Sequence, residues 1–354
     1  MFKKILIVNI FGIGDVLFTT PLVSNIKSNF TDVFIGYVCN ARAAAVLADN
    51  PKIDKIFIYE RDEFNTLYKK SGIQFLKKMN SLLSAIRNEG FDVGLDLSLN
   101  GNVSFLMALA GIKRRIGFNY KNRSLWLTEK VNLDGYARKH VVEYYLELLA
   151  RLGVPADQNR IELFSSRDDC AWAEQFFSDH KISPKDFPVC IIPGGGASWG
   201  KDAGYKRWPE KQFALLADKM VEKFSAKVIL LGDQNEKELC RAVKEAMKSD
   251  CLDIAGETTI PQMAALLAKC KLAIANDGGP LHVAVAVGTK TVSIFGPVDE
   301  YVYGPYPKDN HTVIQKDIAC RPCYRRFRLA DCQHHHCINS LGVHEVFEKI
   351  KESL

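Results

Sequence analysis

A strand, a glycine turn and a helix occur in that order twice along this chain, and the repetition limits the fold more than any other feature. The first copy is ILIVNI at 5–10, then Gly12-x-Gly14, then a helix-like stretch over 16–29. The second is VCII at 189–192, then Pro193-Gly194-Gly195-Gly196, then a helix-like stretch over 208–224. Between them, apolar runs at 33–38, 56–59 and 93–97 alternate with helical patterns at 41–48, 73–88, 103–110 and 140–152. After the restart, runs at 228–231, 272–275 and 291–295 alternate with helices at 235–248 and 261–269. Strands alternating with helices imply right-handed βαβ units and parallel sheets. The expected fold is therefore α/β, with two doubly wound domains facing each other across a cleft. A polar stretch at 164–187 divides them, giving an N-terminal domain at 1–163 and a C-terminal domain at 188–354. The last helix, 343–350, is amphipathic and closes the chain.

A chain of 354 residues with 47% hydrophobic and 25% charged content suits two ordinary globular cores. Its net charge of +6 suits anionic ligands or a membrane surface and is too small to point to nucleic acid. The N-terminal MFKKILIVNIFG has too short an apolar run for a signal peptide, and no run is long enough to cross a membrane. A cytoplasmic location is expected.

The first turn breaks the dinucleotide-binding pattern Gly-x-Gly-x-x-Gly, because Leu17 stands at the third glycine. That argues against a nucleotide-dependent oxidoreductase. Asp15 instead puts a carboxylate where a pyrophosphate would be repelled. A helix N-terminus stabilises such a charge, and active sites of α/β sheets lie at the carboxyl ends of strands. The alternative is an ordinary N-cap for the 16–29 helix. Further on, Asn276-Asp277-Gly278-Gly279-Pro280-Leu281-His282 follows an apolar strand and opens a helix. Its glycines allow close backbone approach, and the helix start favours an anion such as phosphate. The alternative is a tight turn capped by Asp277. Lys206 and Arg207 directly precede a helix, which suits a phosphate clamp or a solvated basic loop. Asp233 and Glu236 lie where a strand end turns into a helix, a place that commonly contacts ribose or base.

Taken in order, these segments resemble glycosyltransferase family 9, the heptosyltransferases of lipopolysaccharide assembly. The matching motifs are Gly14-Asp15 with Thr19-Thr20-Pro21, Arg-Arg-Ile-Gly-Phe at 114–118, the histidine-led segment 140–143, Pro193-Gly194 with 206–209, and 277–282 with Phe-Gly-Pro at 295–297. The resemblance runs over nearly the whole chain. It implies a GT-B fold with two Rossmann-like domains, the acceptor bound by the N-terminal half and the nucleotide-sugar by the C-terminal half. It implies inverting transfer of a sugar, typically heptose, from an ADP-activated donor to a lipopolysaccharide-core-type acceptor. Asp15 would be the general base. Lys206, Arg207, Asp233, Glu236, Asp277, Gly278, Gly279, Pro280, Leu281 and His282 would hold the donor, with His282 alternatively packing under its helix. The usual Asp-Ser/Thr-Gly of this family is replaced here by Asn-Asp-Gly-Gly-Pro, so phosphate contact would come from backbone. Arg42, Arg114, Arg115, Arg123 and His140 are the acceptor candidates, because the family's acceptors carry acidic sugars and phosphates; the alternative for the basic cluster at 113–123 is a solvated surface run. Such an acceptor is an anionic glycolipid, and a basic face would keep the enzyme near the cytoplasmic face of the inner membrane.

Inverting transfer needs a base for the acceptor hydroxyl and stabilisation of charge on the departing diphosphate. No Asp-x-Asp motif for a divalent ion occurs, so no catalytic metal or other catalytic cofactor is expected. The tail carries Cys320-x-x-Cys323, Cys332 and Cys337, with three histidines at 334–336. This resembles a structural zinc site; two disulfides or free thiols are the alternatives. Some family members have similar tails. A non-catalytic sugar-nucleotide binder, or a metal-binding interaction protein, is the alternative function.

Overall fold

The computed structural model describes every residue except Met1 and Gly196, so the last glycine of the second turn lies outside the described residues. The chain divides into two compact units, Met1–Ile161 and Glu162–Leu354. The segment 164–187 carries the helix Arg167–Asp179, which packs on Ile260–Lys269 within the second unit.

The first unit holds six parallel strands: β1 (Lys4–Val8), β2 (Phe34–Cys39), β3 (Lys55–Ile58), β4 (Val93–Asp96), β5 (Arg114–Tyr120) and β6 (Glu129–Leu133). They lie in the order β3-β2-β1-β4-β5-β6. The second unit holds β7 (Phe187–Ile192), β8 (Ala226–Leu230), β9 (Leu252–Asp253), β10 (Leu272–Asn276), β11 (Thr291–Phe295) and β12 (His311–Gln315). Their order is β9-β8-β7-β10-β11-β12, which is the first unit's order repeated. Both are doubly wound sheets. The order reverses between β1 and β4 in one unit and between β7 and β10 in the other. Ligands of such sheets bind beyond the carboxyl ends of those strands. The turns after β1 and β10 are two of those that sequence singles out.

The central strands are buried on both faces, as their apolar sequences require. In the second unit Trp208, Phe213, Leu216 and Met220 pack against β7 and β8, and the tail helix Val343–Ser353 adds Val346 and Ile350. Each such side chain, fully buried, contributes about 1.5–3 kcal/mol. Trp208 also donates its indole N–H to the Leu341 carbonyl at 3.0 Å, fixing the tail to this core.

Several elements differ from the sequence pattern, among them strands β6, β9 and β12, which it does not mark. The helix expected at 16–29 starts earlier and is broken into Ile13–Leu17 and Thr20–Asn29. Pro21 has no N–H and tolerates only the first turn of a helix, so a new helix must begin beside it. Thr19 and Thr20 turn their hydroxyls onto the carbonyls of Val16 and Leu17, both at 2.7 Å, where the ladder is interrupted. Arg61–Lys70 forms a helix that its scattered charges conceal. The Arg-Arg-Ile-Gly-Phe motif is strand β5.

Candidate functional site

The turn after β1 is held from within. Asn9, fully buried, donates to the Asp15 carbonyl at 3.0 Å and accepts from the Phe11 N–H at 3.1 Å. Asn40 donates to the Phe11 carbonyl at 2.7 Å and so ties the turn after β2 to it. The helix N-cap is Gly12, which makes Asp15 the third helical residue, so the capping alternative is not what forms. The Asp15 carboxylate is half-buried and folds back toward Gly12. The buried hydroxyls of Tyr37, Tyr136 and Tyr145 are all raised above the usual tyrosine range, first by burial and further by the charge of Asp15. They stay protonated at neutral pH.

His140 lies close by. It caps the helix Val141–Glu147, accepting from the Val142 N–H at 3.2 Å, and sets its ring edge-on to Phe18 at 4.8 Å. Arg42 is exposed on the short helix Ala41–Ala44, which packs against the helix of Asp15. Arg123 is exposed beyond the carboxyl end of β5, its backbone pressed against Gly101. Arg114 and Arg115 are different. They open β5, at the amino edge of the sheet, and Arg114 pairs in register with Val93 at the start of β4. Arg114 bonds Glu129 at 2.6 Å and also the Arg151 carbonyl. Arg115 donates to the carbonyls of Trp126 at 2.6 Å and Ile112 at 2.5 Å. The structure does not bring these two arginines to the turn of Asp15.

Asp96 was not singled out by sequence. It ends β4 beside Val8, accepts from the Ser98 hydroxyl and N–H at 2.6 and 3.0 Å, and is buried. Burial pushes its carboxyl up to about 6, against the lowering effect of Ser98. A carboxyl raised above its unfolded value makes the native state bind the extra proton, so its contribution falls as pH rises from about 4 to about 6. Urea unfolding should therefore show Asp96→Asn gaining about 1–3 kcal/mol on wild type at pH 7 and little at pH 4. An equal difference at both pH values would remove Asp96 as the source.

In the second unit, three turns meet at the strand reversal. Buried Asn276 donates to the carbonyls of Pro193 at 2.8 Å and Gly194 at 3.1 Å, and accepts from the Trp208 N–H at 3.0 Å. Glu236 binds the same turn from the other side. Its carboxylate accepts from the N–H groups of Gly195 at 2.8 Å and Asp233 at 3.0 Å, with Arg207 at 3.4 Å. A Cβ on Gly194 would sit 2.2 Å from that carboxylate, and Gly195 has φ of 114°, so glycine is required at both. Glu236 is thus a brace, and its carboxylate is already committed within the fold. Asp233 caps the short turn that follows, accepting from the Asn235 N–H at 2.8 Å. Arg207 also donates to the Gly195 carbonyl at 3.1 Å.

Lys206 and Asp277 form the most enclosed ion pair of the group, 2.6 Å apart with side chains 10% and 5% exposed. The Lys206 ammonium also lies over the Trp199 ring, 4.2 Å from its centroid. Asp277 leads into the helix Gly279–Ala286, whose N-cap is Gly278. Pro280 lacks an N–H, so Gly278, Gly279 and Leu281 carry the donors of this helix start. Gly278, Gly279 and Pro280 are half-buried, Leu281 buried. His282 faces inward on the same helix. Burial, with help from the charges of Lys206 and His311, lowers its imidazole to about 3, so it is neutral at physiological pH. Lys206 and the helix start are therefore the positive features beside Asp277.

The tail wraps this loop. Cys323 and Tyr324 donate their N–H groups to the Pro297 carbonyl at 3.0 and 3.1 Å, and Tyr324 packs on Trp199 at 4.9 Å. Cys320 is exposed, Cys323 and Cys332 are half-buried, Cys337 is buried, and all four are free thiols. Burial first, and neighbouring cysteines next, push Cys337 up to about 11 and raise Cys323. Among the described residues no group of three or more His, Cys, Asp or Glu side chains is arranged to hold a metal ion. The zinc expectation finds no support in this geometry.

The family model Glycosyltransferase family 9 (heptosyltransferase) matches residues 79–334, more than half of the chain. The chain belongs to this family. It is a glycosyltransferase. Lipopolysaccharide heptosyltransferase 3 of Escherichia coli K12 is 24% identical over 300 residues, covering 84% of this chain and 83% of that protein. A family 9 glycosyltransferase structure from Veillonella parvula superposes with a TM-score of 0.81 at 22% identity, covering 99% of this chain and 97% of that one. The E. coli heptosyltransferase WaaC, solved with ADP, does so at 0.76 and 18%, covering 99% and 100%. The shared fold is GT-B, built from two Rossmann-like units.

Proposed function

We propose that this family 9 enzyme transfers a heptose, with inversion and without a metal ion, from an ADP-activated donor to a lipopolysaccharide-core-type acceptor. The observation that carries the reading is the pair of family motifs at the two strand reversals: a half-buried carboxylate after β1 and a cation beside a helix N-terminus after β10. In the reaction an acceptor hydroxyl attacks the anomeric carbon, the carbon–oxygen bond to the diphosphate breaks, and ADP leaves with the electron pair. Asp15 takes the hydroxyl proton. Lys206 and the N–H groups of Gly278, Gly279 and Leu281 stabilise the charge growing on the diphosphate. Asp277 holds Lys206 in place, Glu236 and Arg207 hold the glycine turn, and Asp233 is the remaining candidate for the ribose. Arg42, Arg123 and His140, at the carboxyl edge near Asp15, face the acceptor.

Two structures of one relative support the donor assignment: WaaC was solved with ADP and with ADP-2-deoxy-2-fluoro heptose. The acceptor is an anionic glycolipid, so the enzyme works peripherally at the cytoplasmic face of the membrane that carries it. Among the described residues no helix is long and apolar enough to cross a membrane. Calorimetric titration with ADP, UDP and GDP in EDTA tests the donor and the metal together. ADP should bind selectively, and transfer should survive EDTA. Preference for UDP or GDP would change the donor, and strict divalent dependence would overturn the metal-free mechanism.

A further inference from the structure

Two stretches of the first unit, 64–88 and 97–128, contain ten lysines and arginines and no aspartate or glutamate. The same stretches hold seven of the eleven large apolar side chains exposed among the described residues. Tyr68, Ile73 and Leu76, 64–70% exposed, cluster where the helix Arg61–Lys70 meets the helix Gly72–Glu89. Phe105 on the helix Gly101–Leu109 packs with its ring tilted against Trp126 at 5.0 Å, beside Leu125, which is 77% exposed.

The two helices share one face of the sheet. The end of Gly72–Glu89 reaches the end of Gly101–Leu109 through Arg87, whose guanidinium donates to the Leu109 carbonyl at 2.5 Å. Between them and the sheet lies a small apolar hollow of about 40 Å³, lined by side chains such as Met79, Leu82 and Leu106. The exposed residues are therefore continuous with apolar side chains beneath. Lys69, Lys70, Lys77 and Lys113 are exposed around them.

We propose that this face docks on the surface of an anionic lipid bilayer, with the aromatic and aliphatic tips entering the interface and the lysines lying among the headgroups. Exposed apolar patches of this kind mark interaction sites. The chemistry selects the partner. Lysine is depleted from the contact surfaces of proteins, whereas lysine with tryptophan, tyrosine and leucine is the composition of membrane-surface elements. Lys78 is paired with Glu63 and Arg114 with Glu129, so Lys69, Lys70, Lys77 and Lys113 carry the positive charge offered to the headgroups. The proposal rests on the reading that the acceptor is lipid-anchored, and it assigns the surface that brings the enzyme to it.

The test is co-sedimentation of the full chain with phosphatidylcholine vesicles, with and without a third of phosphatidylglycerol. Wild type should bind the anionic vesicles, release at high salt and ignore the neutral ones. Lys69→Gln/Lys70→Gln/Lys77→Gln should weaken binding roughly a hundredfold, at about fivefold per cation. Leu76→Ser/Leu125→Ser should weaken it at any salt. ADP affinity and transfer to a water-soluble, deacylated acceptor should be unchanged in both variants, which shows that they fold and separates docking from catalysis. Equal binding to neutral vesicles, no binding, or wild-type binding by both variants would overturn the proposal. So would a vesicle-free dimer abolished by Leu76→Ser/Leu125→Ser, which would assign the face to a second copy of the chain. Failure of ADP binding with docking intact would instead remove only the heptosyltransferase reading.

Discussion

Asp15→Asn should lower the turnover number by about two to four orders of magnitude, the usual contribution of a positioned general base, while ADP affinity stays at the wild-type value. Asparagine keeps the shape of the side chain and loses only its ability to take a proton. The turn should survive, because Asn9 and Asn40 hold it through backbone groups and not through the carboxylate. The three tyrosines near Asp15 cannot replace it, since burial keeps their hydroxyls protonated. Single-turnover rates with saturating donor, set beside calorimetric ADP affinity, separate the outcomes. Wild-type turnover would remove Asp15 as the base. A parallel loss of ADP affinity or of melting temperature would make it a structural residue.

The residues that hold Asp15 show where sequence is legible and where it is not. The Gly14-Asp15 turn could be found because strand, turn and helix are contiguous. Asn9 could not, because its role depends on the path the backbone takes after it. The same holds in the second unit. The segment 276–282 announces a ligand-binding turn, yet the bonds of Asn276 reach back 68 and 83 residues, to Trp208 and Pro193. Glu236 looks like a free carboxylate in a loop until the Gly195 N–H, 41 residues away, is placed on it. Arg114 and Arg115 look available for a ligand for a similar reason. Strand direction decides which end of β5 they occupy, and an alternating, cation-rich strand gives a weak pattern. The doubly wound class was readable from the alternation of elements, but the strand order was not. It emerges only from the pairing of β1 with β4 and of β7 with β10.

The pairing of Lys206 with Asp277 leads to the second large effect. Lys206→Met should destabilise the second unit by about 3–5 kcal/mol, because it leaves the Asp277 carboxylate buried without its cation. That loss alone could be mistaken for a purely structural role. Lys206→Met/Asp277→Asn removes both charges and should recover most of the stability, since a buried pair replaced by neutral groups often costs little. ADP affinity should not recover with it. One charge-assisted contact to the diphosphate is worth about 1.5–3 kcal/mol, so the double variant should bind ADP about 10- to 100-fold more weakly than wild type. Urea unfolding and calorimetric titration of the single and double variants give both quantities on the same proteins. Stability and affinity recovering together would mean that Lys206 serves only to neutralise Asp277, and the diphosphate would then rest on the helix N-terminus alone. Recovery of stability without affinity identifies the lysine as a group that the fold holds ready and the nucleotide uses.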